Sequence, residues 1–151
     1  MTPPTAPVLA AWQAALAAEH AAVFGYGTLG PRLPATDQAL ARASERAHRA
    51  IRDAVATAIT GIGATPVTSA PDYPLPFPVT TAARARAYAA RLEGDAASAW
   101  RYLIATAATG PGVDAAIRIP AQQYLTAAAS RGLRWRRLTD PATASVAFPG
   151  I

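Results

Sequence analysis

The chain has 151 residues and a mass of 15.5 kDa, with 52% hydrophobic, 15% charged and 7% aromatic residues and a net charge of +5. That is too apolar for a disordered chain and too poor in β-branched and aromatic residues for a sandwich or barrel. The lack of cysteine excludes disulfides, thiolate metal sites and a cysteine nucleophile, and two histidines, His20 and His48, exclude a three-histidine centre.

About forty alanines favour helix, and proline and glycine divide the chain into four helical blocks. The first is predicted over about 7–28, stopping at Leu29-Gly30-Pro31. The second is predicted over about 37–61, with Thr36 or Asp37 as N-cap and Gly61-Ile62-Gly63 as C-cap. Residues 63–80 contain Pro66, Pro71, Pro74, Pro76 and Pro78, which forbid a helix and favour an extended path. At ~3.1 Å per residue such a segment reaches roughly 50 Å, enough to run the length of a 20-residue helix of about 30 Å. Its Tyr73, Leu75, Phe77 and Val79 are expected to lay apolar side chains on the outside of the helices.

The third helix is predicted over about 81–109, capped by Thr80 or Thr81, and Gly110-Pro111-Gly112 forms a tight break. The fourth is predicted over about 113–138, either kinked at Pro120 or starting there. The tail, 139–151, is expected to pack as an extended segment. Two short links and one long crossover predict an all-α, single-domain four-helix bundle.

Three polar residues fall on apolar faces. Glu19 lies in the stripe of Trp12, Leu16, Val23 and Tyr26. Glu93 lies among Ala89, Ala90, Ala96 and Ala97, with Trp100 and Ile104 further along. His48 lies one turn before Ile51, and Glu45 sits three residues earlier at the edge of that face. Neither Glu19 nor Glu93 has a basic partner on its own helix. A buried carboxylate must be paired, protonated or metal-bound. The cluster therefore holds a cation, or a protonated His48 bridges Glu19 and Glu93 with arginine or water completing the network.

Glu19, Glu45-x-x-His48, Glu93 and Gln122 or Gln123 are similar in order and type to the ligand set of the ferritin-like superfamily. More closely, the chain resembles an uncharacterised alanine-rich ferritin-like family of actinobacteria. The matching segments include Ala18-Glu19-His20-Ala21-Ala22-Val23-Phe24-Gly25-Tyr26-Gly27, His48-Arg49-Ala50-Ile51-Arg52-Asp53, Tyr73-Pro74-Leu75-Pro76-Phe77-Pro78-Val79, Arg91-Leu92-Glu93, Arg134-Trp135 and Phe148-Pro149-Gly150. The resemblance implies a ferritin-like bundle and carries no established activity. It also implies a candidate metal set of Glu19, Glu45, His48, Glu93, Gln122 and Gln123, for iron or another divalent transition metal. The fourth helix has no glutamate and no histidine, so a symmetric di-iron site cannot form.

Other motifs have structural readings. Glu45 has Arg42 and Arg49 within helical reach and reads as a surface ion-pair residue. His20 reads as a packing or interface residue, and Arg52 and Asp53 as bridges to a neighbouring helix. Gly25, Gly27 and Gly30 sit at a helix end and serve packing and termination, not phosphate binding. Arg131, Arg134, Arg136 and Arg137 around Trp135 make no stripe and suit a helix C-terminus, so no nucleic-acid partner is expected. No apolar run approaches the roughly 20 residues of a bilayer span, and Met1 to Pro7 carry no basic residue. The expectation is a cytoplasmic protein. Alanine-rich outer faces on the first two helices predict a homodimer with a scaffold or interaction role, the alternative being a metal-binding protein with oxidase-type chemistry.

Overall fold

The structure, a computed structural model, describes residues 3–108 and 113–151, the side chains of 113 and 114 apart. It contains four α-helices and, among the described residues, no strand: α1 (Ala6–Leu29), α2 (Ala35–Gly61), α3 (Ala82–Ala107) and α4 (Val113–Arg137). Short 3-10 turns follow α1 (Gly30–Arg32) and α4 (Pro141–Thr143). The expected break at 110–112 lies outside the described residues.

Local chemistry accounts for most helix ends. α2 closes in a Schellman arrangement: Gly63 takes φ +79° while its N–H and that of Ala64 reach back to Thr60 and Ile59. Thr81 caps α3 by accepting from the N–H of Arg84 at 3.2 Å. The start of α2 corrects the predicted cap. Pro34 holds the N-cap position, with no side-chain bond, and Thr36 and Asp37 already lie in the first turn. Asp37 turns away to meet Arg86 of α3 at 2.7 Å. Pro120 lies inside α4, which begins seven residues earlier, so the helix does not start at the proline.

Paired contacts fix the helix directions. Glu19 meets Trp100 and Tyr26 meets Glu93, so α1 and α3 run antiparallel. Asp37 meets Arg86 and His48 meets Glu93, so α2 and α3 run parallel. α1 packs closely on α2 and on α3, and α3 on α4. Gly25 permits part of this closeness: a Cβ there would sit 2.5 Å from a methyl of Leu92.

The segment between α2 and α3 has no helix and lies along α1. The Gln13 amide donates to the Thr65 carbonyl and accepts from the Val67 N–H, each at 2.7 Å. His20 Nε2 donates to the Val67 carbonyl at 3.0 Å, a backbone tie where only a packing role was expected. Tyr73 packs on Phe24, Phe77 on Tyr88, and Val79 is buried. Leu75 departs from the expected pattern and is 40% exposed.

Two apolar cores fill the interior. One gathers Trp12, Leu16, Val55, Ile59, Leu103 and Ile117; the other gathers Leu29, Leu33, Ala85, Tyr88, Leu92 and Trp135. By composition α1 is long and apolar enough to span a bilayer, with a mean hydropathy of 1.2 over its most apolar window, which corrects the expectation that no such run exists. Here its apolar side chains supply both cores. The tail folds back onto α3 and α4. Arg136 donates to the Ala144 carbonyl at 2.6 Å, and Arg101 to that of Gly150. Gly150 takes φ +86° with its Cα against the backbone of Ala97, where a Cβ would lie 2.7 Å from the carbonyl oxygen.

Candidate functional site

Between the two apolar cores lies one polar layer, and every helix supplies two of its side chains. α1 contributes Glu19 and Tyr26, α2 Ser44 and His48, α3 Glu93 and Trp100, α4 Arg131 and Trp135. Each pair is spaced by seven or four residues, which keeps both members on the inward face. Glu19, Ser44, His48 and Glu93 are wholly buried.

His48 is the hub. Its Nδ1 lies 2.6 Å from Glu19 Oε2 and its Nε2 3.2 Å from Glu93 Oε1, so the two carboxylates take opposite edges of the ring. Further donors complete the two carboxylates. Trp100 Nε1 donates to Glu19 Oε1 at 2.8 Å. Tyr26 donates its hydroxyl proton to Glu93 Oε1 at 2.6 Å and accepts from Trp135 Nε1 at 2.7 Å. Arg131 Nε shares its proton between both Glu93 oxygens at 3.0 Å. Ser44 Oγ and Arg131 Nη2 are the buried side-chain polar atoms without a partner among the described residues.

The electrostatics follow from these contacts. Burial disfavours charge on His48, but its hydrogen bonds to Glu19 and Glu93 and their negative charges outweigh it, raising its pKa from 6.5 to about 9. Burial pushes Glu93 upward, yet His48, Arg131 and the Tyr26 hydroxyl together hold it below the usual carboxylate range. Burial, then the charge of Glu93, holds the Tyr26 phenol well above 10. The layer thus pairs two carboxylates with an imidazolium and a guanidinium.

The sequence-predicted residues separate into two groups. Glu19, His48 and Glu93 come together. Glu45 does not join them: its Oε1 is held by Arg49 at 2.6 Å, at the edge of a shallow surface depression of about 260 Å³ beside Tyr26 and Gly27. Gln122 and Gln123 face solvent. Arg52 and Asp53 pair with each other at 2.8 Å instead of bridging to another helix. Arg131, read from sequence as a helix-end cation, enters the layer, while Tyr26, Trp100 and Trp135, read as core, bring polar tips to it. Their spacing from Glu19, Glu93 and Arg131 was the available signal. Ser44 offered none.

A transition metal would take a neutral ring nitrogen together with carboxylate oxygens gathered on the same side. In this layer the acids lie on opposite ring edges, and Arg131 already occupies the Glu93 carboxylate. Among the described residues no group of three or more His, Asp and Glu converges to hold a cation. The donor set as arranged does not fit a metal.

The family described as "Domain of unknown function (DUF4439)" matches residues 11–151. The crystal structure of a conserved hypothetical protein, rv2844, from Mycobacterium tuberculosis is similar, with a TM-score of 0.80 and 33% identity, over 89% of this chain and 99% of that one. No curated protein matches the chain.

Proposed function

The chain belongs to the DUF4439 family, and we propose that it is a helical scaffold of ferritin-like architecture whose central ligand position is filled by a metal-free ion network. The antiparallel α1–α3 pair, the parallel α2–α3 pair and the extended segment laid along α1 support ferritin-like connectivity with a Pro-rich crossover. One observation carries the scaffold reading. Both nitrogens of His48 are bonded to separate carboxylates, which leaves no lone pair for a metal and makes the imidazolium itself the bridging cation. Such a layer performs no turnover. It sets a single register for four alanine-rich helices that would otherwise slide on one another. The exposed alanines Ala6, Ala10 and Ala14 on α1 and Ala54 and Ala58 on α2 offer small-residue faces for a second copy, in keeping with a homodimer.

The test is elemental analysis and titration with ferrous, manganous and zinc ions of the purified protein and of His48→Ala, with light scattering alongside. The expected result is no stoichiometric metal in either protein and a dimer at high concentration. One metal per chain in the wild type, lost in His48→Ala, overturns the scaffold reading in favour of a centre built on Glu19, His48 and Glu93. A strict monomer overturns self-association.

A further inference from the structure

The polar layer divides the molecule into halves, and the free positive charge lies almost wholly on one of them. Seven arginines on the half that contains Trp135 have no carboxylate partner among the described residues. Arg136 is turned onto the Ala144 carbonyl, and the other six are Arg32, Arg42, Arg46, Arg84, Arg134 and Arg137. All six are exposed. They come from α2, α3, α4 and the turn after α1, because the antiparallel register brings the end of α1, the start of α2, the start of α3 and the end of α4 to the same end. The other half has two such arginines, Arg101 and Arg118, each turned onto a backbone carbonyl, as Arg84 is onto that of Pro78.

Carboxylates on the arginine-rich half do little to offset this. Asp37 is committed to Arg86, Glu45 to Arg49 and Asp95 to Arg91. Asp72 and Asp140 have no arginine partner among the described residues and keep their charge, which leaves two free carboxylates against the six exposed arginines.

Some of these arginines work against the fold, although Arg134 and Arg137 suit the C-terminus of α4. Arg42 and Arg46 are like charges four residues apart on one helix face, a spacing that costs stability. Arg84 lies in the first turn of α3, where the helix dipole disfavours a cation and no acidic residue compensates. Charges placed at a cost to the fold point to a partner outside it.

The partner's chemistry follows from what accompanies the arginines. Guanidinium groups present paired donors that match phosphate oxygens. The large exposed aromatics, Tyr102 and Phe148, do not lie among them, so there is no platform for stacking unpaired bases. Leu75 and Leu138, with Val146 beside Arg136, are the large exposed apolar side chains there, too few for the anchor of a lipid surface or the core of a protein interface. We propose that this end of the molecule binds the phosphate backbone of a nucleic-acid duplex without reading its sequence. The cluster 131–137 concealed this in the sequence, because Arg131 and Arg136 turn inward and the surface is completed from α2, α3 and the turn after α1.

The test is fluorescence anisotropy of the full chain with a labelled 20-base-pair mixed-sequence duplex. Affinity is expected to fall about 100-fold between 50 and 200 mM salt, the effect of roughly four phosphate contacts. Arg42→Ala/Arg46→Ala and Arg134→Ala/Arg137→Ala, each checked for wild-type helicity, are each expected to weaken binding at least tenfold at 50 mM salt and to flatten the salt slope by about two. Arg101→Gln/Arg118→Gln removes equal charge from the other half and is expected to change affinity less than twofold. Absence of binding at 50 mM salt, equal loss in the Arg101/Arg118 variant, or tighter binding to phosphatidylserine vesicles or single strands than to the duplex overturns the proposal. None of these outcomes depends on whether the core holds a metal.

Discussion

Tyr26 and Trp100 hold equivalent places on opposite helices. Each lies seven residues after a buried glutamate, and each gives its hydrogen bond to the glutamate of the other helix, Tyr26 to Glu93 at 2.6 Å and Trp100 to Glu19 at 2.8 Å. The exchange ties α1 to α3 at two heights; His48 takes the second oxygen of Glu19 and shares Oε1 of Glu93 with Tyr26.

Tyr26→Phe removes one hydroxyl and breaks two bonds, since Trp135 Nε1 then loses its acceptor. The expected cost is about 2–4 kcal/mol, from a lost donor to a charged oxygen and a stranded buried N–H. Urea denaturation monitored by circular dichroism checks it. Tyr88→Phe, which leaves the layer untouched, is expected to cost under about 1 kcal/mol.

The layer makes stability depend on alkaline pH. The folded pKa of His48 is raised to about 9 from 6.5, so its contribution is fully present below pH 6.5 and is lost as pH rises through about 9. A shift of this size corresponds to roughly 3 kcal/mol. The urea midpoint of the wild type is expected to fall between pH 7 and 10, whereas His48→Gln is expected to start lower and vary little over that window. On the acid side the sign reverses. Glu93 is held low, so its contribution is present above the ordinary carboxylate pKa and disappears as pH falls through the depressed value.

Arg131→Ala leaves the Glu93 carboxylate buried with one cation fewer. Breaking a buried pair in this way costs about 3–5 kcal/mol. The double variant Arg131→Met/Glu93→Gln removes both charges and is expected to lose less than the sum of its single variants. A double-mutant cycle in urea reads the coupling.

Gly25→Ala and Gly27→Ala are predicted to move in opposite directions. At Gly25 the new methyl meets Leu92 methyls at 2.5 and 2.8 Å, whereas at Gly27 nothing lies within 4 Å. Overpacking at Gly25 costs about 1–3 kcal/mol, and alanine at Gly27 gains up to about 1 kcal/mol of helix propensity. Paired thermal melts separate the two.

Gly150→Ala strains a positive φ and drives a Cβ to 2.7 Å from the Ala97 carbonyl oxygen. The tail is expected to lift from α3, and limited proteolysis after residue 138 is expected to accelerate several-fold while the helices keep their circular dichroism signal.

Local pattern was enough for the helices. Apolar residues at helical spacing, the Thr81 cap and the Gly63 stop set their limits to within a few residues, and the proline-rich stretch ruled out helix between α2 and α3. The same periodicity placed Glu19, His48 and Glu93 on inward faces. It misjudged the start of α2, where Pro34 stands in the cap position and Asp37 prefers Arg86.

What the chain's own spacing determined was therefore which side chains turn inward on each helix. Which of them meet was decided by the tertiary structure. Helix-to-helix register depends on close approaches such as Gly25 to Leu92, and one turn of sliding would part Arg131 from Glu93 and Tyr26 from Trp135. The same register sorts the surface arginines to one end, because antiparallel packing joins segments that lie far apart in the chain and that no single-helix pattern relates.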